Sequence, residues 1–274
     1  MDQGPGNGLP PAPPLLPKGI GDILNAAFTL YKQKWRDFFL IVAIVAVPLS
    51  IVQYFLADQL ASPVTVHVDQ VTGQVTTSGG SSLGTAIGAS ILLALVGVLI
   101  YEIMAGALTR AAAGSVVGVE IDADASYRYG LARLGSILLI GILTGLAVGI
   151  GFIFLIIPGL FLLVKFAVSI PALVVENKRG TKAMSRSFEL TSGHFWHVAG
   201  TVLLAAILTG IVSGILTAPF SSGGWFLRAI AASIAQIVTA PFTALVAVLV
   251  YLDLRARKES LTSDGLRAEL AASA

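Results

Sequence analysis

No cysteine occurs in the 274 residues, which excludes disulfides, a thiol nucleophile and a cysteine-ligated metal. Charge is scarce too: Asp, Glu, Lys and Arg make up 12% of the chain, and the formal net charge is +2. So sparse and balanced a charge carries no nucleic-acid footprint. With three His, no complete metal shell or nucleophile–His–Asp set can be assembled. Walker and dinucleotide fingerprints are absent, and Gly strings such as GIGFIF fall inside apolar runs that fit no phosphate cradle. No cofactor is implied. Before Lys18 there is neither a cation nor an apolar core segment, so the N-terminus does not read as a signal peptide.

What is plentiful is apolar surface. Hydrophobic residues are 55% of the chain and the mean hydropathy is +0.87, values that exclude an ordinary soluble domain. The pattern predicts an all-α, polytopic membrane protein with six transmembrane helices in three hairpins. Residues 1–17, rich in Pro and Gly, read as a disordered tail. Residues 18–258 form the membrane domain and 259–274 a polar C-terminal tail. Spans are expected at about 38–57, 86–110, 134–157, 160–175, 198–216 and 229–251, most near the roughly 20 residues that a core of about 30 Å requires. Pro48 and Pro241 are expected kinks. Pro158-Gly159 should turn span three into span four. Between the first two spans, Val64, Val66 and Val68 alternate, a turn follows near 69–73, and alternation resumes at Val75: a small extracytoplasmic β-hairpin.

The cations set the orientation. All of the 17 Lys and Arg except Lys165 and Arg228 fall before span one, between spans two and three, between four and five, or after six. The positive-inside rule then places both termini in the cytoplasm and the protein in the cell membrane as a multi-pass protein. Three segments lead into outward spans as cationic amphipathic helices: GDILNAAFTLYKQKWRDFF, ADASYRYGLARLGSILL and TKAMSRSFELTSGHFWHV. In the first, Asp22, Asn25, Thr29, Lys32 and Arg36 keep one face. In the second, Asp122 or Asp124 can cap the helix, and Tyr127, Leu131, Leu134 and Leu138 form its apolar line. In the third, Ala183, Ser187 and Leu190 with Met184 and Phe188 oppose Lys182, Arg186 and Glu189. These helices are expected to lie on the inner leaflet, where Lys32, Lys34, Arg36, Lys178, Arg179, Lys182 and Arg186 can meet anionic headgroups. The competing reading is that any inner-leaflet loop is cationic.

GDILNAAFTLYKQKW, PALVVENKRGTKAMSRSFELTSGHFW and the IIPG turn resemble the bacterial glycerophosphoryl diester phosphodiesterase membrane domain family, over most of the chain from Pro17 to Lys258. The resemblance implies a membrane module that can precede a catalytic barrel. No barrel and no paired-carboxylate metal site follow Lys258, so catalysis is not carried over.

Gly141, Gly145 and Gly149 form a small-xxx-small ladder expected to admit a neighbouring helix. Glu102 and Lys165 are the intramembrane polar candidates, at about 12 and 16 Å depth by helix rise. They would pair, line a polar route, or leave Lys165 snorkelling with Glu102 nearer the interface. His194 and His197 have a spacing that zinc could use, but interfacial anchoring beside Trp196 is the favoured account of them. Function is thus expected to be a non-catalytic module that binds membrane lipids or a membrane-protein partner at the inner leaflet. A small transporter or channel at Glu102 and Lys165 is the alternative, and a membrane-embedded phosphodiesterase ranks third.

Overall fold

A computed structural model describes residues 15–60, 65–68, 74–78 and 83–272. Ten α-helices occur among them: α1 Ile20–Leu60, α2 Leu83–Val116, α3 Ala123–Ala132, α4 Leu134–Phe154, α5 Ile156–Phe166, α6 Ser169–Glu176, α7 Thr181–Thr191, α8 Phe195–Thr217, α9 Trp225–Glu259 and α10 Ser263–Ala272. Two short strands, β1 Thr65–Val68 and β2 Val75–Ser78, pair antiparallel with Thr65 opposite Ser78. The turn expected at 69–73 lies outside the described residues, as do residues 1–14 of the expected tail.

Among the described residues, five helical stretches are long and apolar enough to cross a membrane: Ile20–Leu60, Leu134–Phe154, Ile156–Glu176, Phe195–Phe220 and Trp225–Glu259. Many of their large side chains point outward, among them Ile142, Leu146, Ile150, Leu203, Ile207 and Ile211. Such an apolar exterior suits lipid as its solvent. The expected span 86–110 falls within α2, which is 34 residues long.

Contacts sort the helix ends into two groups. At one end, Leu15 N–H donates to the Leu261 carbonyl at 2.7 Å, and Lys18 N–H to Asp253 Oδ1 at 2.6 Å. Arg267 reaches the Val117 carbonyl just past α2, and Arg133, between α3 and α4, meets Asn177 past α6. At the other end, Arg228 lies 3.8 Å from Asp58, and Phe55 packs edge-on against Trp225. Both ends of the described chain therefore share one end of the bundle.

Several expected elements differ. Leu15, in the expected tail, packs on the core, while Leu16 and Pro17 are exposed. The polar tail folds back as α10, burying Leu266 and Leu270. The helix that begins at Ile20 does not lie across a surface. It runs down α9, with its Tyr31 hydroxyl donating to the Val238 carbonyl, and it continues through a break at Lys34 (φ −122°, ψ 21°) into the apolar half of α1. Its buried residues, Ile23 and Ala27, are four apart, so one stripe suffices to seat it. Asp122 does cap α3, accepting from Asp124 N and Ala125 N at 2.9 and 3.3 Å. However, Ser126, Tyr129 and Gly130 are the buried face, and Leu131 is 55% exposed. Gly130 decides this, because its missing Cβ lets the Ile103 carbonyl approach to 3.1 Å of the ideal Cβ position.

The turn between α4 and α5 is made by extended Leu155 (φ −165°, ψ 150°), with Pro158 and Gly159 already in the first turn of α5. The helices touch where a Cβ on Gly151 would lie 2.8 Å from Gly159 Cα. Close packing of small residues thus occurs at this pair. At Gly145 and Gly149, two rungs of the expected ladder, a Cβ would meet nothing within 4 Å, and at Gly141 it would meet the Glu102 carboxyl. The expected fourth span is two pieces, α5 and α6, broken at Ala167–Val168.

Candidate functional site

The break between α5 and α6 frees backbone groups that need partners away from water. α7 supplies them. Ser187 Oγ donates to the Lys165 carbonyl at 2.7 Å and accepts from Val168 N–H at 3.3 Å. Ala183, Met184, Ser187, Leu190 and Thr191 form the buried face, which agrees with the expected apolar side except that Phe188 stays 40% exposed. α7 is therefore packed into the bundle rather than laid over it.

Its cations are correspondingly committed. Arg186 is 10% exposed at its side chain, with Nε bonded to both Glu176 oxygens at 2.9 and 3.1 Å. It also contacts Glu259 and Glu189. Tyr251 donates to Glu176 at 2.7 Å, and Lys178 bridges Glu176 at 2.9 Å. Arg255 binds Glu259 at 2.7 Å and Glu269 of α10 at 2.5 Å. Burial opposes ionisation of Glu176, but hydrogen bonds from Lys178, Arg186 and Tyr251 outweigh it and hold the carboxyl below its usual range. Glu259 is likewise held low, its partial burial outweighed by Arg186 and Arg255. Beside this cluster, the buried Asp253 carboxylate takes Arg257 Nε at 2.8 Å.

Of the expected lipid-surface cations, Arg186 thus belongs to an internal network and Lys178, with its side chain 40% exposed, to its rim, while Arg179 and Lys182 are exposed. Lys32 and Arg36 are exposed at the α1 break, over the rings of Phe28 and Trp35. The signal for the network lay in the fourfold spacing Tyr251, Arg255, Glu259 on one face of α9, with Asp253 and Arg257 at the same spacing on the opposite face.

Glu102 and Lys165 do not pair. Lys165 Nζ donates to Ser192 at 3.0 Å, past the end of α7, and sits 4.4 Å from the Phe188 ring. The stem reaches toward the polar end, so depth counted from backbone rise misplaced the ammonium. Glu102, 9% exposed, lies against Gly141, and among the described residues its buried Oε2 has no hydrogen-bond partner. His197 Nε2 is 3.0 Å from Asp253 Oδ2. Among the described residues no three His, Asp or Glu gather as a metal site.

A cleft of about 640 Å³ opens between the end of α2, α3 and α10. Arg110, Arg128, Arg133 and Arg267 line it, together with Glu120 and Asp122. Tyr129 is its centre: Arg133 and Arg110 stand 3.9 and 5.0 Å from the ring centroid, and the hydroxyl donates to the Val174 carbonyl at 2.9 Å. Arg110 also donates to the Leu270 carbonyl near the end of α10 at 3.0 Å. In the sequence these arginines stand out only through the orientation rule and, for Arg128 and Arg133, as the charges of an amphipathic helix. Their convergence needs α10 folded back beside α6, where Arg110 reaches the Leu270 carbonyl and Arg267 the Val117 carbonyl.

Comparison with protein-family models, with characterised proteins and with solved structures gives no match.

Proposed function

We propose that the chain is an integral membrane module without catalysis of its own, binding lipid or a membrane-protein partner at the inner leaflet. The observation that carries this is the gathering of cationic groups at the end where the chain's two ends meet, below helices with apolar exteriors. The positive-inside rule makes that end cytoplasmic. Ends that meet on one side require an even number of crossings, which supports counting α2 as a sixth span. It also supports placing the β1–β2 pair outside. The motifs resembling the glycerophosphoryl diester phosphodiesterase membrane domain fit the same reading. Native mass spectrometry of the purified protein against phosphatidylglycerol, phosphatidylethanolamine and a soluble glycerophosphodiester tests it. Selective retention of the anionic lipid without hydrolysis is expected; hydrolysis, or adducts indifferent to headgroup, would overturn it.

A transport route is the second reading, and one observation favours it: the buried Oε2 of Glu102, on α2, has no hydrogen-bond partner among the described residues. Ser50, Gln53, Tyr101 and Gln236 line a separate cavity of about 190 Å³ between α1, α2 and α9. Ion flux in proteoliposomes that disappears in Glu102→Gln would establish this route instead.

A further inference from the structure

We infer that the groove between α1, α8 and α9 holds one acyl chain of an anionic phospholipid, whose phosphate sits on Lys32. The inference rests on the inner-leaflet reading above and deepens it by naming the ligand and its place. The first observation is the groove itself. It measures about 300 Å³, and its walls are Leu24 and Phe28 of α1, Leu208 and Val212 of α8, and Val238 and Phe242 of α9. Three more of its residues carry hydroxyls, and each is turned into the fold. Tyr31 donates to the Val238 carbonyl at 3.1 Å, Thr209 to Ala205 at 2.8 Å and Thr239 to Ala235 at 2.7 Å. What remains to line the groove is hydrocarbon, and it opens outward, since Phe28, Leu208 and Val212 are exposed.

Charge is the second observation. Asp22, Asn25, Thr29, Lys32 and Arg36 are all exposed, a polar stripe at helical spacing that runs beside the groove along the outside of the bundle. Lys32 Nζ stands 4.8 Å from the centroid of Phe28, one wall of the groove, and Arg36 lies over Trp35. Among the described residues neither cation has a carboxylate partner. Residues 32–37 hold three cations and one carboxylate, Asp37, so the segment cannot balance itself. Arg186 and Arg255, by contrast, are matched by Glu176, Glu259 and Glu269 within the fold.

Depth is the third. Leu208 lies midway along α8, which is apolar and long enough to span a membrane, so the stripe descends beside lipid-facing helices. A cation facing lipid there is costly without an anion beside it. Hydrocarbon gains nothing by leaving the bilayer for the groove, so the chain fixes position while the charge selects the lipid. A phosphate drawn in to Lys32, with its acyl chain against Phe28, meets both needs.

The test is native mass spectrometry of the full chain in detergent, with dioleoyl phosphatidylglycerol, dioleoyl phosphatidylethanolamine and glycerol 3-phosphate as probes. Val212→Trp fills the groove from an exposed position without touching a charge. Lys32→Gln removes the cation at its edge, and Lys32→Arg keeps it. The controls are Ile142→Trp, equal bulk on the exposed face of α4, and Lys182→Gln, an equal charge change on α7. A phosphatidylglycerol adduct that Val212→Trp and Lys32→Gln each weaken about tenfold, while Lys32→Arg and both controls keep it, is the expected result. Equal adducts in wild type and Val212→Trp would overturn the groove, as would equal losses in Val212→Trp and Ile142→Trp. A glycerol 3-phosphate adduct that needs Lys32 but survives Val212→Trp would also overturn it, in favour of a soluble anion. If Lys182→Gln alone loses the lipid, the groove fails and inner-leaflet binding stands. If no protein prefers phosphatidylglycerol to phosphatidylethanolamine, both readings fall.

Discussion

Ser187 shows how much one hydroxyl carries in this protein. It joins two backbone groups on either side of the α5–α6 break, Lys165 C=O and Val168 N–H, while the Thr191 hydroxyl reaches the same carbonyl only at 3.5 Å. Replacing it with Ala leaves a buried amide without an acceptor. The expected loss is about 1–3 kcal/mol, read as a lower unfolding temperature in detergent. Ser185→Ala, at an exposed position one turn-face away, should leave it unchanged. Placing Ser187 on the apolar side of its helix was legible from spacing. That its oxygen would answer a break twenty residues earlier was not, because the break itself depends on packing. Glu102 and Lys165 were both visible as charges in apolar runs; that Lys165 would reach Ser192 and that Glu102 would lie against Gly141 was not.

At the scale of elements, helix existence followed from apolar periodicity, whereas orientation depended on close contacts. α1 and α7 have amphipathic patterns that fit a membrane surface and a helix bundle equally well, since both need one apolar stripe. The small-residue ladder likewise gave three glycines of one chemical kind, and the partner helix chose others. The Gly151–Gly159 contact predicts a sharp contrast. Gly151→Ala must push its new methyl against the α5 backbone and should cost about 1–3 kcal/mol. Gly149→Ala meets open space and should change stability by less than about 1 kcal/mol. Thermal unfolding of the two variants in the same detergent distinguishes them.

For the whole molecule, the ion network links α6, α7, α9 and α10, so its protonation should be felt as global stability. Glu176 and Glu259 are held below the ordinary carboxylate range in the folded protein. The unfolded chain therefore binds more protons in acid, and stability rises with pH there. The contribution is complete above the unfolded Glu value, about 4.3, and disappears as pH falls through the lower folded values. Unfolding temperature against pH should be flat near neutrality and drop in acid, with a shallower drop in Glu176→Gln. A flat wild-type acid limb would contradict the network's role. Orientation has a direct test, because the chain's lack of cysteine gives single-cysteine variants no background. An impermeant maleimide added outside cells should label Ser221→Cys and spare Lys182→Cys; the opposite pattern would invert the topology.

The sequence by itself determined the solvent, the helical class and the unequal distribution of cations, because each depends on composition and on periodicities a few residues long. The tertiary structure decided which cations are bound within the fold and which line a cleft. Arg186 and Arg133 belong to similar basic stretches in sequence. One faces Glu176, Glu259 and Glu189, and the other faces Tyr129, Asn177 and the space beside α10. The difference is made by contacts between residues far apart along the chain, and no local pattern encodes where a returning helix will place its carboxylates.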